Sequence, residues 1–557
     1  MKDQLDKKYI CIHGHFYQPP RENPWLGVIE HEDSASPYHD WNERIDMECY
    51  RANTAARLVD DRNKVLRLVN NYKHFSFNFG PTLLQWLEHH DPWVYRAILR
   101  SDRQSVELRN GHGNAIAQVY NHIIMPLANQ RDKVTQVEWG IRDFEHRFGR
   151  RPEGMWLAET AVDRSTLAVL ADAGIKFTIL SPYQAARWRF IQEDPQWRDA
   201  GGGSIPTGRA YRYHCGAGKY IHIFFYDAEL ARGVAFERLL EHSSRLVGRI
   251  DSRYEQRSRA KDEPFLINTA TDGESYGHHF KFGDMALAAA FEQLERDPAA
   301  EITNYAAFLA SFPVIAEVEI LENTAWSCSH GLGRWSRDCG CHIGGGAGWN
   351  QKWREPLRAA LDFVRDTIAV HFETEVKKLC QDPWKARNEY VDVLLGGKEH
   401  LETFLKKHLG SSRETDSAAR FLELLEMQRF GMLMYTSCGW FFDEISQLET
   451  MLVIRNAARA IQIAQKTGAA PIEDDFIAML RHAPSNLAEF ADGGDVYLKK
   501  IKPEVVEIRR VAATHAIQTL ALSSGRQFQV YGYSIIPERE DDLGANPVPC
   551  LFGHIKV

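Results

Sequence analysis

From residue 9 to about residue 296 the chain repeats one pattern: a short apolar run ending in polar or titratable side chains, then a stretch with helical spacing. This alternation predicts parallel strands joined by right-handed crossovers, hence an α/β fold whose chemistry gathers at the C-terminal ends of the strands. Two runs end in acids. Phe265-Leu266-Ile267 leads into Asp272-Gly273-Glu274-Ser275-Tyr276-Gly277-His278-His279, where glycines on either side of Glu274 allow a tight backbone and let the side chains share a cleft. Gly154-Met155-Trp156-Leu157-Ala158 ends at Glu159, before a helical pattern from Ser165 to Ala173. Paired carboxylates at the ends of different strands, with aromatics beside them, are what cleavage of a glycosidic bond requires. A polar loop capping the next helix is the competing reading of each acid alone.

The first run, Tyr9 to Ile12, enters His13-Gly14-His15-Phe16-Tyr17-Gln18-Pro19-Pro20-Arg21-Glu22-Asn23-Pro24-Trp25. Three prolines forbid a helix, and the His-x-His spacing puts both imidazoles on one face, suited to binding hydroxyls or holding a metal. With the Trp-Leu-Ala-Glu and Asp-x-Glu-x-Tyr-Gly segments following in order, the sequence resembles glycoside hydrolase family 57. Its long HGHFYQPPRENPW form is similar to a bacterial subgroup with an extra C-terminal domain of unassigned function. The resemblance implies an incomplete (β/α)7 barrel followed by a mostly helical C-terminal domain; periodicity alone does not count the strands. It also implies Glu159 as nucleophile, Asp272 as general acid/base, and His13, His15 and Gln18 around the sugar. The segment before Met125-Pro126-Leu127 is similar to the family's second motif and makes His122 a candidate substrate contact, with a core histidine as the alternative. Trp25, Trp156 and Glu274 complete the candidates from these motifs.

Between the motifs, Trp41 to Tyr72 reads as helical stretches, Lys73 to Gly80 as a strand, Pro81 to Arg100 as its helix, and Ser105 to Leu108 as another strand. Gln130 to Phe148 reads as a helix, and Lys176 to Leu180 and Lys219 to Tyr226 as strands. Residues 188–218, with three consecutive glycines, read as an inserted loop or hairpin. These readings place a catalytic barrel at residues 1–315, a connecting loop at 316–350 and a helical domain at 351–557. Helical spacing covers Trp353 to Val376, Ala386 to Leu395, Lys398 to His408, Ser417 to Met434, Phe442 to Gln465 and Lys502 to Leu520, and Gln527 to Pro537 alternates as strand. Tyr435 to Glu444 is similar to the family's fifth motif, which nominates Trp440; Cys438-Gly439 departs from it.

The connecting loop gathers Cys328, His330, Cys339, Cys341 and His342 with Trp326, Trp335, Trp349 and Trp353. Such ligands suit zinc, but Cys339-Gly340-Cys341 has one residue where two are usual. The preferred reading is therefore a substrate loop bearing Trp335, with no metal or other cofactor. A net charge of -8 without a basic run argues against nucleic acid. No stretch reaches the ~20 apolar residues that cross a bilayer, and the nine cysteines fit reduced thiols. The start lacks the apolar region of a signal peptide, so a cytoplasmic enzyme acting on an α-glucan or maltooligosaccharide is expected. A retaining mechanism would set the carboxyls about 5–5.5 Å apart. The competing functions are a metal-dependent polysaccharide deacetylase, with Asp272, His13 and His15 as ligands, and a non-catalytic glucan-binding protein.

Overall fold

A computed structural model describes residues 7–192, 196–256, 263–410, 415–521, 529–530, 533–542 and 551–556. Seven parallel strands follow one another around a barrel: β1 (Lys8–Phe16), β2 (Ser76–Phe79), β3 (Ala117–Gln118), β4 (Met155–Trp156), β5 (Phe177–Leu180), β6 (Lys219–Phe225) and β7 (Phe265–Asp272). β7 pairs with β1 in a register that sets His15 against Asp272, and β1 pairs with β2 so that His13 faces Ser76 and His15 faces Asn78. Single bridges, Phe77 with Ala115 and Gly154 with Phe177, join β2 to β3 and β4 to β5. The seam between β6 and β7 is thinner: Asp227 N–H donates to Asn268 O at 2.8 Å, and Asn268 Nδ2 to Phe225 O at 3.3 Å. Short strands linked by bridges are hard to count from periodicity, because two-residue strands such as β3 and β4 carry no alternation of their own.

Several local expectations change in the structure. Residues 105–108 belong to the helix Pro92–Leu108, started by Asp91, whose side chain accepts from Val94 N–H; Val94, Ile98 and Ser105 form its buried face. Helix ends at Thr54 in the first connection, and Ala56–Val59 and Val65–Val69 form a hairpin about an Asp60–Asn63 turn in which Asp60 accepts from the backbone of Arg62 and Lys64. The insertion reading holds: Ala185–Phe190 and Ala210–Gly216 are strands of a mixed sheet beside β6. Ala316–Ile320 lies in that sheet too, so the span expected to be connecting loop begins as a strand paired with Ala185–Phe190.

Beyond residue 350 helices pack on one another and on the barrel. Arg354–Val376, Thr415–Leu433 and Leu448–Lys466 form the centre of this half, and the last of these starts later than its pattern predicts. Gln447 accepts from the backbone of Asp443 and Glu444, which keeps residues 443–446 out of the helix. The Gln527 to Pro537 expectation falls partly outside the described residues; within them Gln529–Val530 pairs with Tyr533–Ser534. Buried Arg387 fastens the helical half to the barrel, donating to Asp132 at 2.7 Å and to Thr135 at 2.8 Å. Ser437 N–H donates to His122 O at 3.0 Å, which carries the 437–440 turn to the mouth of the barrel.

Candidate active site

Alternation along β1 sends His13 and His15 to the same side, and along β2 sends Ser76 and Asn78 to meet them. His13 contacts Ser76 Oγ and Asn78 Oδ1, both at 3.0 Å. Asn78 Nδ2 donates to His15 Nδ1 at 2.8 Å and to Gln118 Oε1 at 2.8 Å. These bonds assign the tautomers: with Nδ1 accepting, His15 Nε2–H donates to His122 Nε2 at 3.1 Å, and His122 Nδ1–H then donates to Ser437 Oγ at 2.7 Å. Burial holds all three imidazoles neutral, with His13 and His15 pushed down to about 3. Trp156 lies under both as a platform, 5.1 Å from His13 and 5.0 Å from His15, while Tyr17 stacks on His122 at 3.7 Å.

Glu159 leaves the end of β4 with φ +58°, a left-handed conformation that few residues adopt without support. The support comes from the far loop: Trp326 N–H donates to Glu159 O at 3.0 Å. Trp326 Nε1 donates to its carboxylate at 2.9 Å and Ser327 Oγ at 2.5 Å. Burial raises its pKa, while Ser327, Trp326 and the Arg334 charge act the other way and favour the anion. Asp272, at the end of β7, is reached by solvent yet ringed by protein. This surrounding protein first, then the negative charges of Glu274 and Glu159, pushes its pKa up to about 8. Glu274 is buried and rises to about 7 through desolvation, although Tyr50 donates to it at 2.8 Å. Gly273 is needed for a close approach: a Cβ there would lie 2.3 Å from the Phe16 ring. The site thus combines one acid supplied with donors for its charged form and one held protonated near neutrality, the division of labour that acid/base chemistry needs.

The other expected residues are placed as follows. Gln18 accepts from Arg21 at 3.0 Å and also hydrogen-bonds Glu274. Trp25 is buried, its indole N–H on Gln462 of the helical half at 2.8 Å. Trp335 and Trp440 are fully buried, the latter donating to Arg354 O at 3.2 Å and covered by the Arg358 guanidinium at 4.1 Å. These three tryptophans, and the fully buried Trp156 beneath His13 and His15, have no open face for a sugar; they fasten the barrel, loops and helices together, which corrects the expectation of substrate contacts. A partly open indole beside Glu159 is Trp326, edge-on to Trp156 at 5.1 Å. Sequence reasoning missed Trp326, Ser327, Tyr50, Asn78 and Ser437. The polar inward positions of Ser76 and Asn78 in an apolar strand were the available signal; Tyr50 offered none. Among the described residues, Asp272, His13 and His15 do not converge as a ligand set; Cys328, His330, Cys339 and Cys341 do. A separate cavity of 840 Å³, lined in part by Glu22, Asp46, Trp86 and His90, contains neither catalytic candidate.

A parallel barrel with paired acids at its strand ends is the arrangement a glycoside hydrolase uses. The profile of glycosyl hydrolase family 57 matches residues 11–319, more than half of the chain, and the protein belongs to that family. Residues 349–557 match a domain of unknown function (DUF3536). The chain is 23% identical over 244 residues to an alpha-amylase of Pyrococcus horikoshii, covering 42% of this chain and 34% of that protein. It is 28% identical over 114 residues to alpha-amylase 1 of Dictyoglomus thermophilum, covering 20% and 16%. The matches thus span about a third or less of these curated relatives. In fold the chain is similar to an exo-type maltose-forming amylase from Pyrococcus sp. ST04, with TM-score 0.65, 15% identity and coverage of 92% of this chain and 94% of that one. It is also similar to a branching enzyme from Thermococcus kodakaraensis, with TM-score 0.53, 13% identity and coverage of 90% and 97%.

Proposed function

We propose that the protein cleaves or transfers α-glucosyl units with retention, through a covalent glycosyl-enzyme. The observation that carries this reading is the unequal support of the two acids: Glu159 has two side-chain donors on its carboxylate, whereas Asp272 faces the negative charges of Glu274 and Glu159. Glu159 receives two side-chain donors on its carboxylate and attacks the anomeric carbon as an anion. Asp272, whose pKa is pushed up to about 8, is protonated at neutral pH and donates to the leaving oxygen. It then takes the proton of the incoming water or sugar hydroxyl, and Glu159 leaves as a carboxylate. The neutral His13, His15 and His122 are buried, with both ring nitrogens of each bonded within the protein, so they serve as an uncharged support beneath the acids rather than as free donors to sugar hydroxyls. An α-glucan or maltooligosaccharide as substrate is supported by the family and by the amylases it resembles. None of the eight cysteines among the described residues is in a disulfide, which supports a reducing, cytoplasmic setting. None of the described helices is long and apolar enough to cross a membrane.

The test is incubation with maltooligosaccharides and amylose, with products separated by length and linkage, beside Glu159→Gln and Asp272→Asn. Shorter products alone mean hydrolysis, and longer or branched ones mean transfer. Folded wild type as inert as both variants on every α-glucan would remove the proposal.

A further inference from the structure

The loop that hands Trp326 and Ser327 to Glu159 has almost no regular structure of its own. Between strand Ala316–Ile320 and helix Arg354–Val376 it contains a single three-residue helical turn, Gly333–Trp335. Something other than a hydrogen-bond ladder must hold it. Within it, the ligand atoms of Cys328, His330, Cys339 and Cys341 all lie within 4.8 Å of one another. Cys328 Sγ is 4.0 Å from Cys339 Sγ and 3.9 Å from Cys341 Sγ, and Cys341 Sγ is 3.4 Å from His330 Nδ1. A tetrahedral zinc with bonds of ~2.3 Å to sulfur and ~2.05 Å to nitrogen requires edges of about 3.8 Å and 3.6 Å. The sulfur separations are almost twice the ~2.05 Å of a disulfide.

We propose that Cys328, His330, Cys339 and Cys341 bind one zinc ion, which clamps this loop so that Trp326 and Ser327 stay on Glu159.

The one-residue spacing between Cys339 and Cys341 is made workable by Gly340, whose φ of +78° turns the chain sharply enough for both sulfurs to face the same point. Gly333 makes room, since a Cβ there would lie 2.7 Å from the Cys339 Cβ. Zinc would displace three thiol protons to solvent, leaving a Cys3His centre with net charge of about −1. A cation is in place to balance it: the buried Arg354 guanidinium donates to Cys341 O at 2.8 Å. The clamp begins one residue after Ser327, and Arg334 lies between the second and third ligands. Arg334 is itself held by Phe441 O at 2.9 Å. A structural ion therefore fixes, at one end, the donors that favour the Glu159 anion. Zinc binding itself is independent of the glucan reading; the consequence for Glu159 rests on it.

The test is elemental analysis of the full chain, purified without a metal-affinity step. One zinc per chain is expected, retained in Cys215→Ser, Cys380→Ser and His342→Ala, and lost from Cys339→Ser and Cys341→Ser. Should those serine variants fail to fold, wild type answers alone: a thiol-modifying reagent should release one zinc as three thiols react. Cobalt supplied in its place should show the strong visible bands of tetrahedral thiolate coordination. Protein that carries no zinc and takes up none, carries a different metal, or keeps zinc in the double Cys339→Ser/Cys341→Ser variant overturns the site. For the clamp, stripped enzyme should lose activity from the acid side of its pH profile while the alkaline limb stays; an unchanged profile overturns that part.

Discussion

Removal of the Ser327 hydroxyl isolates one support of Glu159, the proposed nucleophile. Its Oγ donates to Glu159 Oε2 at 2.5 Å, and Trp326 Nε1 reaches the same oxygen at 2.9 Å. A hydrogen bond to a charged group contributes ~1.5–3 kcal/mol, and one pKa unit corresponds to ~1.4 kcal/mol, so Ser327→Ala raises the Glu159 pKa by about 1–2 units. Glu159 already lies above the ordinary carboxyl value because it is buried, and Ser327 opposes that rise. The sign follows: attack needs the anion, so the acid limb of kcat/KM moves to higher pH by the same amount. The alkaline limb, which the proposed mechanism assigns to Asp272 near pH 8, should stay in place. The assay is kcat/KM for a short maltooligosaccharide across the pH range, with folding checked by circular dichroism. A folded Ser327→Ala enzyme with an unmoved acid limb refutes the assignment of this hydroxyl to the nucleophile's charge.

In the wild type, activity should fall as pH rises through about 8, as Asp272 gives up its proton. Asp272→Asn should cost ~10²–10⁴-fold in kcat on unactivated substrate and abolish that limb; an intact alkaline limb in the variant assigns it elsewhere. Tyr50→Phe removes the hydroxyl that donates to Glu274. Because Glu274, at about 7, is raised above its unfolded value, its ionised form weakens the fold as pH rises through neutrality. The variant's loss in Tm should therefore be larger in alkaline than in acid buffer, and an equal loss at both contradicts this. Trp335→Ala should destabilise by ~3–5 kcal/mol in denaturant unfolding. A variant of wild-type stability with only KM raised would return Trp335 to the substrate.

Most of the fold's logic is local and was legible. Gln130 to Phe148 reads as a helix from its apolar period and is one, with Asn129 as its cap. The ends of β1, β4 and β7 show in sequence as His-x-His, Trp-Leu-Ala-Glu and Asp-x-Glu because a strand's alternation and its terminal polar residues are neighbours in the chain. Where a segment satisfied two periods, local reading failed: residues 105–108 alternate as a strand, yet the Asp91 cap and the buried Ile98 and Ser105 continue the helix through them.

The candidate site divides in the same way. Sequence alone determined which carboxylates and imidazoles end the barrel strands. It did not determine their charge states or which tryptophan faces Glu159. The four indoles nominated from motif, Trp25, Trp156, Trp335 and Trp440, are all buried by packing, and the indole beside Glu159 is Trp326, which was not nominated. That choice depends on contacts such as the one spanning 168 positions between Glu159 and Ser327, made by a loop whose regular structure is a single helical turn. Period and propensity report on neighbours a few residues apart. Contacts of this length, and the desolvation that sets Asp272 near 8, exist only once the whole chain has folded around them.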